Sequence, residues 1–431
     1  MFWLLIREII ETVEVIRDPY LRATTYAKIG ERLARVRDAK FKLVFLKAIE
    51  TTREIDDPVK TFRALLSIGY SMKKAGLRSA KKIYQRVLED SRELPDPVRD
   101  ELMVLAARYM LGLGEINEAI IYAMEVKNPS LRDTVLLQII RRNTSLIGTE
   151  KVRVAYRIRK SKMALENIST EPHRSKALIE IMKSYFLMGS YENGIATIRE
   201  IEQREWAKYA FKEALFFLKE RGVIEKYVPN LKELAKYLVE KFGDEFKIEL
   251  GVAFALAEEP VEAADLLRKL DGDKALVEVA IRLLEVAPRY LPAFIRVLNE
   301  REATEVGRAV MNRFLENPDE GDWETIRAIW ERSRSEEVRV KIARYSLVKG
   351  DIDGAMKVVE HIENERLRSI VLADIAHRLL KMGDVSRAID VALEVRDPKF
   401  SSILIAEILI GALDREIEAK VVVNGKAKNH S

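Results

Sequence analysis

The side chains able to do chemistry in this sequence are few and poorly placed for it. Histidines stand at 173, 361, 377 and 430. His361 and His377 are sixteen residues apart, whereas a zinc site needs a closer pair or carboxylates gathered beside it. The string GLGEIN at 112–117 copies the first half of a dinucleotide loop, but it joins two helical patterns and lacks the preceding strand. DIDG at 351–354 lacks the ligand series and closing Glu of a calcium loop. Ser71 and Lys74 meet by helical spacing alone, and Trp323 and Trp330, seven apart, read as core residues of one helix face. No nucleophile, metal site or cofactor is nominated, and the chain reads as non-enzymatic.

Positive charge is the informative signal. Residues 1–162 carry 32 Lys and Arg against 21 Asp and Glu, net +11, and the remainder is net −6. Within the basic part the cations gather at three places: Arg35, Arg37 and Lys40; then Lys73, Lys74, Lys81 and Lys82; then Arg153, Arg157 and Lys160, which share a helix face. Such an edge would attract a polyanion or an acidic protein. Against nucleic acid, aromatic residues for base stacking are not interleaved, with Tyr84 and Tyr156 the near candidates. A solvated surface laced with local ion pairs is the competing reading. A second set, Arg108, Arg142, Lys183, Arg344 and His377, shares one register: each stands six residues before a Gly.

The elements that position these residues are written into a repeated phrase. LEVRDP at 393–398 echoes VIRDP at 15–19, EIDDP at 54–58, ELPDP at 93–97 and EVKNP at 125–129. Asp or Asn offers an N-cap oxygen to a helix, and Pro suits the first helical position because it has no N–H to leave unpaired. The residue before Pro is pushed out of the helical region, so each phrase is a sharp corner between two helices. Asp18, Asp57 and Asp96 are 39 residues apart and Asn128 follows after 32, the mark of a helical repeat. Between the corners, Gly114, Gly189, Gly350 and Gly383 end helices, and a small residue follows five later at Ala119, Gly194, Ala355 and Ala388. Corner and Gly turn together define a two-helix hairpin. In 366–383 nearly every residue is apolar except a stripe at Asp374, His377 or Arg378, and Lys381, so that helix must be covered on both flanks by neighbours.

These hairpins resemble the tetratricopeptide repeat family, most clearly around Gly114, Gly189, Gly350 and Gly383. The family's small residue seven before the turn Gly is matched by Ala107, Ala343 and Ala376, with Met182 departing, and its aromatic four before is matched by Tyr185. The closing Pro comes about two residues early, at Pro129 and Pro398. The resemblance implies an all-α protein, a right-handed α-solenoid of about a dozen stacked antiparallel hairpins in a tetratricopeptide-like superhelix. It also implies that Arg108, Arg142, Lys183, Arg344 and His377 line the concave face. The chain divides into N-terminal basic repeats at 1–202, divergent repeats at 203–335, C-terminal tetratricopeptide-like repeats at 336–415 and a tail at 416–431.

A helical toroid with loop carboxylates, as in some glycosidases, would need about six long hairpins where the spacing here gives many short ones. No apolar run reaches the length of a membrane span, and the start of the chain lacks a basic leader. The absence of Cys suggests a reducing cytoplasm, and a charged fraction of 33% with three Gln suggests a thermophile-like surface. The expected role is therefore a cytoplasmic scaffold for protein–protein interaction, its partner a protein or peptide with an acidic segment. Nucleic-acid binding by the basic N-terminal edge is the alternative. Phe2, Trp3, Leu4 and Leu5 add apolar surface to the first helix, which reads as an interface for self-association or a partner.

Overall fold

The computed structural model describes residues 2–149, 153–270 and 272–428, with side chains described at 8–147, 153–270 and 272–415. Among the described residues there are 24 α-helices and no strand. The chain forms two compact units, Met1–Phe217 and Leu218–Ser431.

The first unit holds α1 (Phe2–Val13), α2 (Pro19–Arg35), α3 (Phe41–Thr51), α4 (Pro58–Lys74), α5 (Ala80–Asp90), α6 (Asp96–Gly112), α7 (Ile116–Met124), α8 (Pro129–Thr149), α9 (Val154–Glu166), α10 (His173–Leu187) and α11 (Tyr191–Ile198); α12 (Arg204–Glu220) crosses its boundary. From α2 to α11 each even-numbered helix pairs with the odd one after it, and α2, α4, α6, α8 and α10 pack side by side. The hairpin is thus the unit of local structure, and stacking of first helices builds the layer.

In the second unit α13 (Ile224–Phe242) precedes α14 (Lys247–Leu256), α15 (Pro260–Arg268), α16 (Asp273–Val286), α17 (Leu291–Arg296), α18 (Glu300–Glu316), α19 (Trp323–Arg332), α20 (Glu336–Val348), α21 (Ile352–Val359), α22 (Glu365–Met382), α23 (Val385–Leu393) and α24 (Pro398–Lys428). Here α14, α16, α18, α20, α22 and α24 stack in order, with the odd helices as a second layer. The stretch expected as a tail continues α24 as far as Lys428.

Both corner types have the expected cause. Asp18 accepts from the Tyr20 and Leu21 amides at 2.8 and 3.1 Å, Asp57 from Val59 at 2.8 Å, and Asp397 from Lys399 and Phe400 at 2.9 and 3.0 Å. Asn128 accepts from Leu131 at 3.1 Å. Asp96 departs from the pattern. Pro95, already extended, takes the N-cap position, so Asp96 falls inside the helix and its carboxylate pairs with Lys127 at 2.7 Å. The turn glycines Gly114, Gly189, Gly350 and Gly383 all have positive φ, between 78° and 91°, where a Cβ would be strained.

The small residues after these turns are buried at zero exposure in Ala119, Ala355 and Ala388. A methyl on Gly194 would collide with the Phe186 ring. Ala107, Ala343, Ala376 and Met182 are likewise fully buried, which lets the two helices of these four hairpins pack closely. In α22 the wet stripe lies where the pattern put it, with Val371, Leu372, Ile375, Ala376 and Leu379 in the core between the flanking helices.

Trp323 and Trp330 correct the sequence reading. The core face of α19 is Thr325, Ile326, Ala328 and Ile329, whereas positions 323, 327 and 330 recur at i, i+4 and i+7 on a face turned away from it. Trp323 is half exposed and Trp330 partly so. Spacing of seven identified one face but not which face.

Candidate functional site

The register six before the turn Gly falls near the ends of the first helices, and most of its side chains reach to the next repeat. Lys183 Nζ on α10 lies 3.0 Å from Glu213 on α12. Arg344 Nε on α20 donates to Asp374 on α22 at 2.8 Å. His377 Nε2 on α22 lies 3.4 Å from Glu407 on α24, and Arg108 Nε on α6 donates to Gln138 on α8 at 3.3 Å. In every case the partner is thirty residues further on, so one register feeds the next along the layer of first helices. Arg142 is exposed and has no side-chain partner among the described residues. At Lys183 burial works against the charged form, but the hydrogen bond and charge of Glu213, with Tyr209 and Glu180, outweigh it and hold the ammonium above its usual range.

The basic edge lies at the turns within hairpins. Lys73 and Lys74, at the end of α4, span to both neighbouring turns: Lys73 Nζ is 3.1 Å from Glu115 and Lys74 Nζ 3.6 Å from Glu31. Glu31 also accepts from Arg35 at 2.6 Å. Lys74 stands over the Tyr70 ring at 4.8 Å and Lys160 over the Tyr156 ring at 5.5 Å. Lys40 and Arg157 are also engaged. That leaves Arg37, Lys81 and Lys82 exposed and without a side-chain partner among the described residues, together with Arg78 beside them and Arg153 at the start of α9. Arg37 and Arg153 hold positive φ, at 57° and 68°, so these turns are built without glycine at those positions.

A third set of polar residues was not visible in the sequence. Asp100, buried in α6, accepts from the Lys127 and Asn128 amides at 2.8 Å each. Asp133, fully buried in α8, accepts from the Ser169 and Thr170 amides at 2.8 and 2.6 Å. Glu336, at the start of α20, accepts from the Glu363 and Asn364 amides at 2.6 and 2.8 Å. Each carboxylate near the start of one first helix collects the free amides at the corner before the next, so stacking satisfies backbone groups that neither repeat could satisfy alone. For Asp100 and Asp133 the available signal was an acidic residue four or five positions after the corner residue, hidden by the many acidic residues at helix starts, whereas Glu336 opens its own helix.

The histidines remain apart. His173 bridges the Thr134 and Thr170 hydroxyls at 3.1 Å each, His361 Nδ1 lies 2.9 Å from the Lys357 carbonyl, and His377 faces Glu407. Among the described residues no group of three or more His, Cys, Asp and Glu could hold a metal ion. No helix of the described residues is long and apolar enough to cross a membrane. Phe2, Trp3, Leu4 and Leu5, expected as an interface, lie outside the residues whose side chains are described, as does His430.

No protein-family model matches the chain, and no curated protein matches it. Solved structures that it resembles include Ton1535 from Thermococcus onnurineus NA1, at 17% identity and TM-score 0.22, covering 89% of this chain and 99% of that one. A circular tandem repeat protein is 14% identical with TM-score 0.26, over 95% and 99% of the two chains. The APC/C hetero-tetramer Cut9–Hcn1 is 12% identical with TM-score 0.21, over 93% and 96%.

Proposed function

We propose that the chain is a non-enzymatic helical-repeat scaffold that binds a protein or peptide through an acidic segment. The observation that carries this reading is the division among its cations. Those on the first helices mostly face a carboxylate or amide of the next repeat, while Arg37, Lys81 and Lys82 at the hairpin turns stand exposed with no side-chain partner among the described residues. Unpaired cations along one edge attract and orient an acidic partner. Nucleic-acid binding by the same edge is the second reading, favoured by the net +11 of residues 1–162.

Capture from a nuclease-treated lysate, compared between the natural chain and a variant with Arg37→Glu, Lys81→Glu and Lys82→Glu, tests the proposal. These side chains are exposed, so helical content should be unchanged. Captured proteins should be lost from the variant. Retention of the same proteins by the variant contradicts the assignment of the edge, and loss of all partners on nuclease treatment favours the second reading.

A further inference from the structure

The outward face of α19 carries an aromatic slot. Trp323 and Trp330 stand two helical turns apart with Arg327 between them, and with Ile342 of α20 and Val358 of α21 they wall a cavity of about 290 Å³. Half of the Trp323 surface is open, at 50%. Both indoles are braced. Trp323 meets the buried Tyr345 ring edge-on at 5.6 Å, and the Tyr345 hydroxyl donates to the Pro318 and Gly321 carbonyls at 3.1 Å each. Trp330 meets His361 edge-on at 5.2 Å and has the Arg339 guanidinium over its ring at 5.3 Å, and Arg339 also donates to the His361 carbonyl. The walls therefore do not need to be ordered when something enters, which lowers the entropic cost of binding.

Size and charge select the occupant. Sites for cofactors and drug-sized ligands run from about 300 to 1,000 Å³, and this slot, at the lower end of that range, has room for one aromatic or branched side chain. Tryptophan is enriched among the few residues that carry most of the energy at protein interfaces, and such residues tend to pair with an anchor on the partner. At the mouth, Asp351 already caps α21 by accepting from Gly354 N at 2.8 Å, and Arg327 is tied to Glu331 at 2.8 Å. Lys357 is exposed with no side-chain partner among the described residues. Asp351 keeps its charge while it caps, so Arg327, Lys357 and Arg339 stand against Asp351 and Glu331, a net +1 around the slot that opposes the cationic ligands aromatic cages otherwise take and favours a carboxylate.

We propose that this slot docks a peptide segment of a partner protein by one aromatic or branched apolar side chain flanked by Asp or Glu. The proposal rests on the scaffold reading above and adds the anchor and its place. It is tested by fluorescence anisotropy of labelled synthetic peptides titrated with the full chain. The peptides carry one central Phe, Leu or Ala in a frame of alternating Glu and Ser, or of alternating Lys and Ser. The Phe and Leu peptides in the Glu frame should bind. The Ala peptide and all Lys-framed peptides should bind at least about tenfold more weakly, and Trp323→Ala should cost the good peptides a similar factor. Lys357→Glu, which leaves both indoles in place, should weaken the Glu-framed peptides and improve the Lys-framed ones.

Equal binding of Phe and Ala peptides, binding unaffected by Trp323→Ala, or binding of no peptide overturns the proposal. Concentration-dependent self-association abolished by Trp323→Ala also overturns it, by assigning the slot to a second copy of the chain. If protein capture from nuclease-treated lysate survives in Trp323→Ala while the peptides fail, the slot falls and the scaffold reading stands. If capture vanishes on nuclease treatment while the peptides discriminate as expected, the scaffold reading falls and the slot's chemistry stands.

Discussion

Arg344 on α20 donates to Asp374 on α22 at 2.8 Å, thirty residues further along the chain. The same step joins Lys183 to Glu213 and His377 to Glu407. Both members of the Arg344–Asp374 pair are part-exposed, so a double-mutant cycle with Ala at both sites should give a coupling of about 0.3–1 kcal/mol that shrinks with added salt. Zero coupling at low salt would mean the pair plays no part in stacking.

Reversing Arg108, Lys183 and Arg344 together to Glu sets two of the new carboxylates against Glu213 and Asp374. The expected result is a lower Tm with protein capture retained. A variant that keeps its Tm and loses its partners would return these residues to the binding surface.

Hairpin packing is tested where there is no room. Ala119→Leu and Ala388→Leu each add methylenes at a site with zero exposure and should destabilise by about 1–3 kcal/mol. Gly194→Ala should also lower Tm, because its methyl meets Phe186. Unchanged thermal melts for all three would remove the close helix contact from the account.

Asp133 ties stability to pH. Burial opposes its charge, but the hydroxyl and amide of Thr170, the Ser169 amide and Arg132 outweigh this and hold the carboxyl below its usual range. Glu302 is also held low, first by the hydrogen bond from Arg268, against the effect of burial. A depressed folded-state pKa contributes stability above the unfolded carboxylate value, about 3.9 for Asp and 4.3 for Glu, and that contribution is lost as pH falls through the folded value. Thermal melts between pH 7 and about pH 3 should therefore show a steep loss below about pH 4, and Asp133→Asn should flatten it. Asp133→Ala, which takes the acceptor from the Ser169 and Thr170 amides, should cost about 1–3 kcal/mol at neutral pH. An acid limb identical in Asp133→Asn would show that this corner does not govern it.

The architecture was legible because it is local. Asp18, Asp57, Asn128 and Asp397 cap helices by contacts within three residues, and the glycines from Gly114 to Gly383 end them by backbone conformation, so type and spacing suffice. Asp96 was misplaced because two prolines bracket it and either could have set the corner. What the sequence withheld is contact at a distance of one repeat: the thirty-residue step from Lys183 to Glu213, the amides collected by Asp100 and Asp133, and the rotation of α19 that turns Trp323 outward. Helical period places a residue on a face, but only the neighbouring helices decide which face is covered.

The proposed function is that of a scaffold that holds proteins through cations at its hairpin turns in preference to nucleic acid. Binding of mixed-sequence RNA and DNA to the full chain, measured at about 50 and 200 mM salt beside protein capture from nuclease-treated lysate, tests it most directly. The account predicts weak nucleic-acid binding that disappears at the higher salt, with a specific set of captured proteins that survives nuclease and is lost when Arg37, Lys81 and Lys82 are reversed. Nucleic-acid binding that persists at the higher salt, with no protein captured once nuclease has acted, would contradict it.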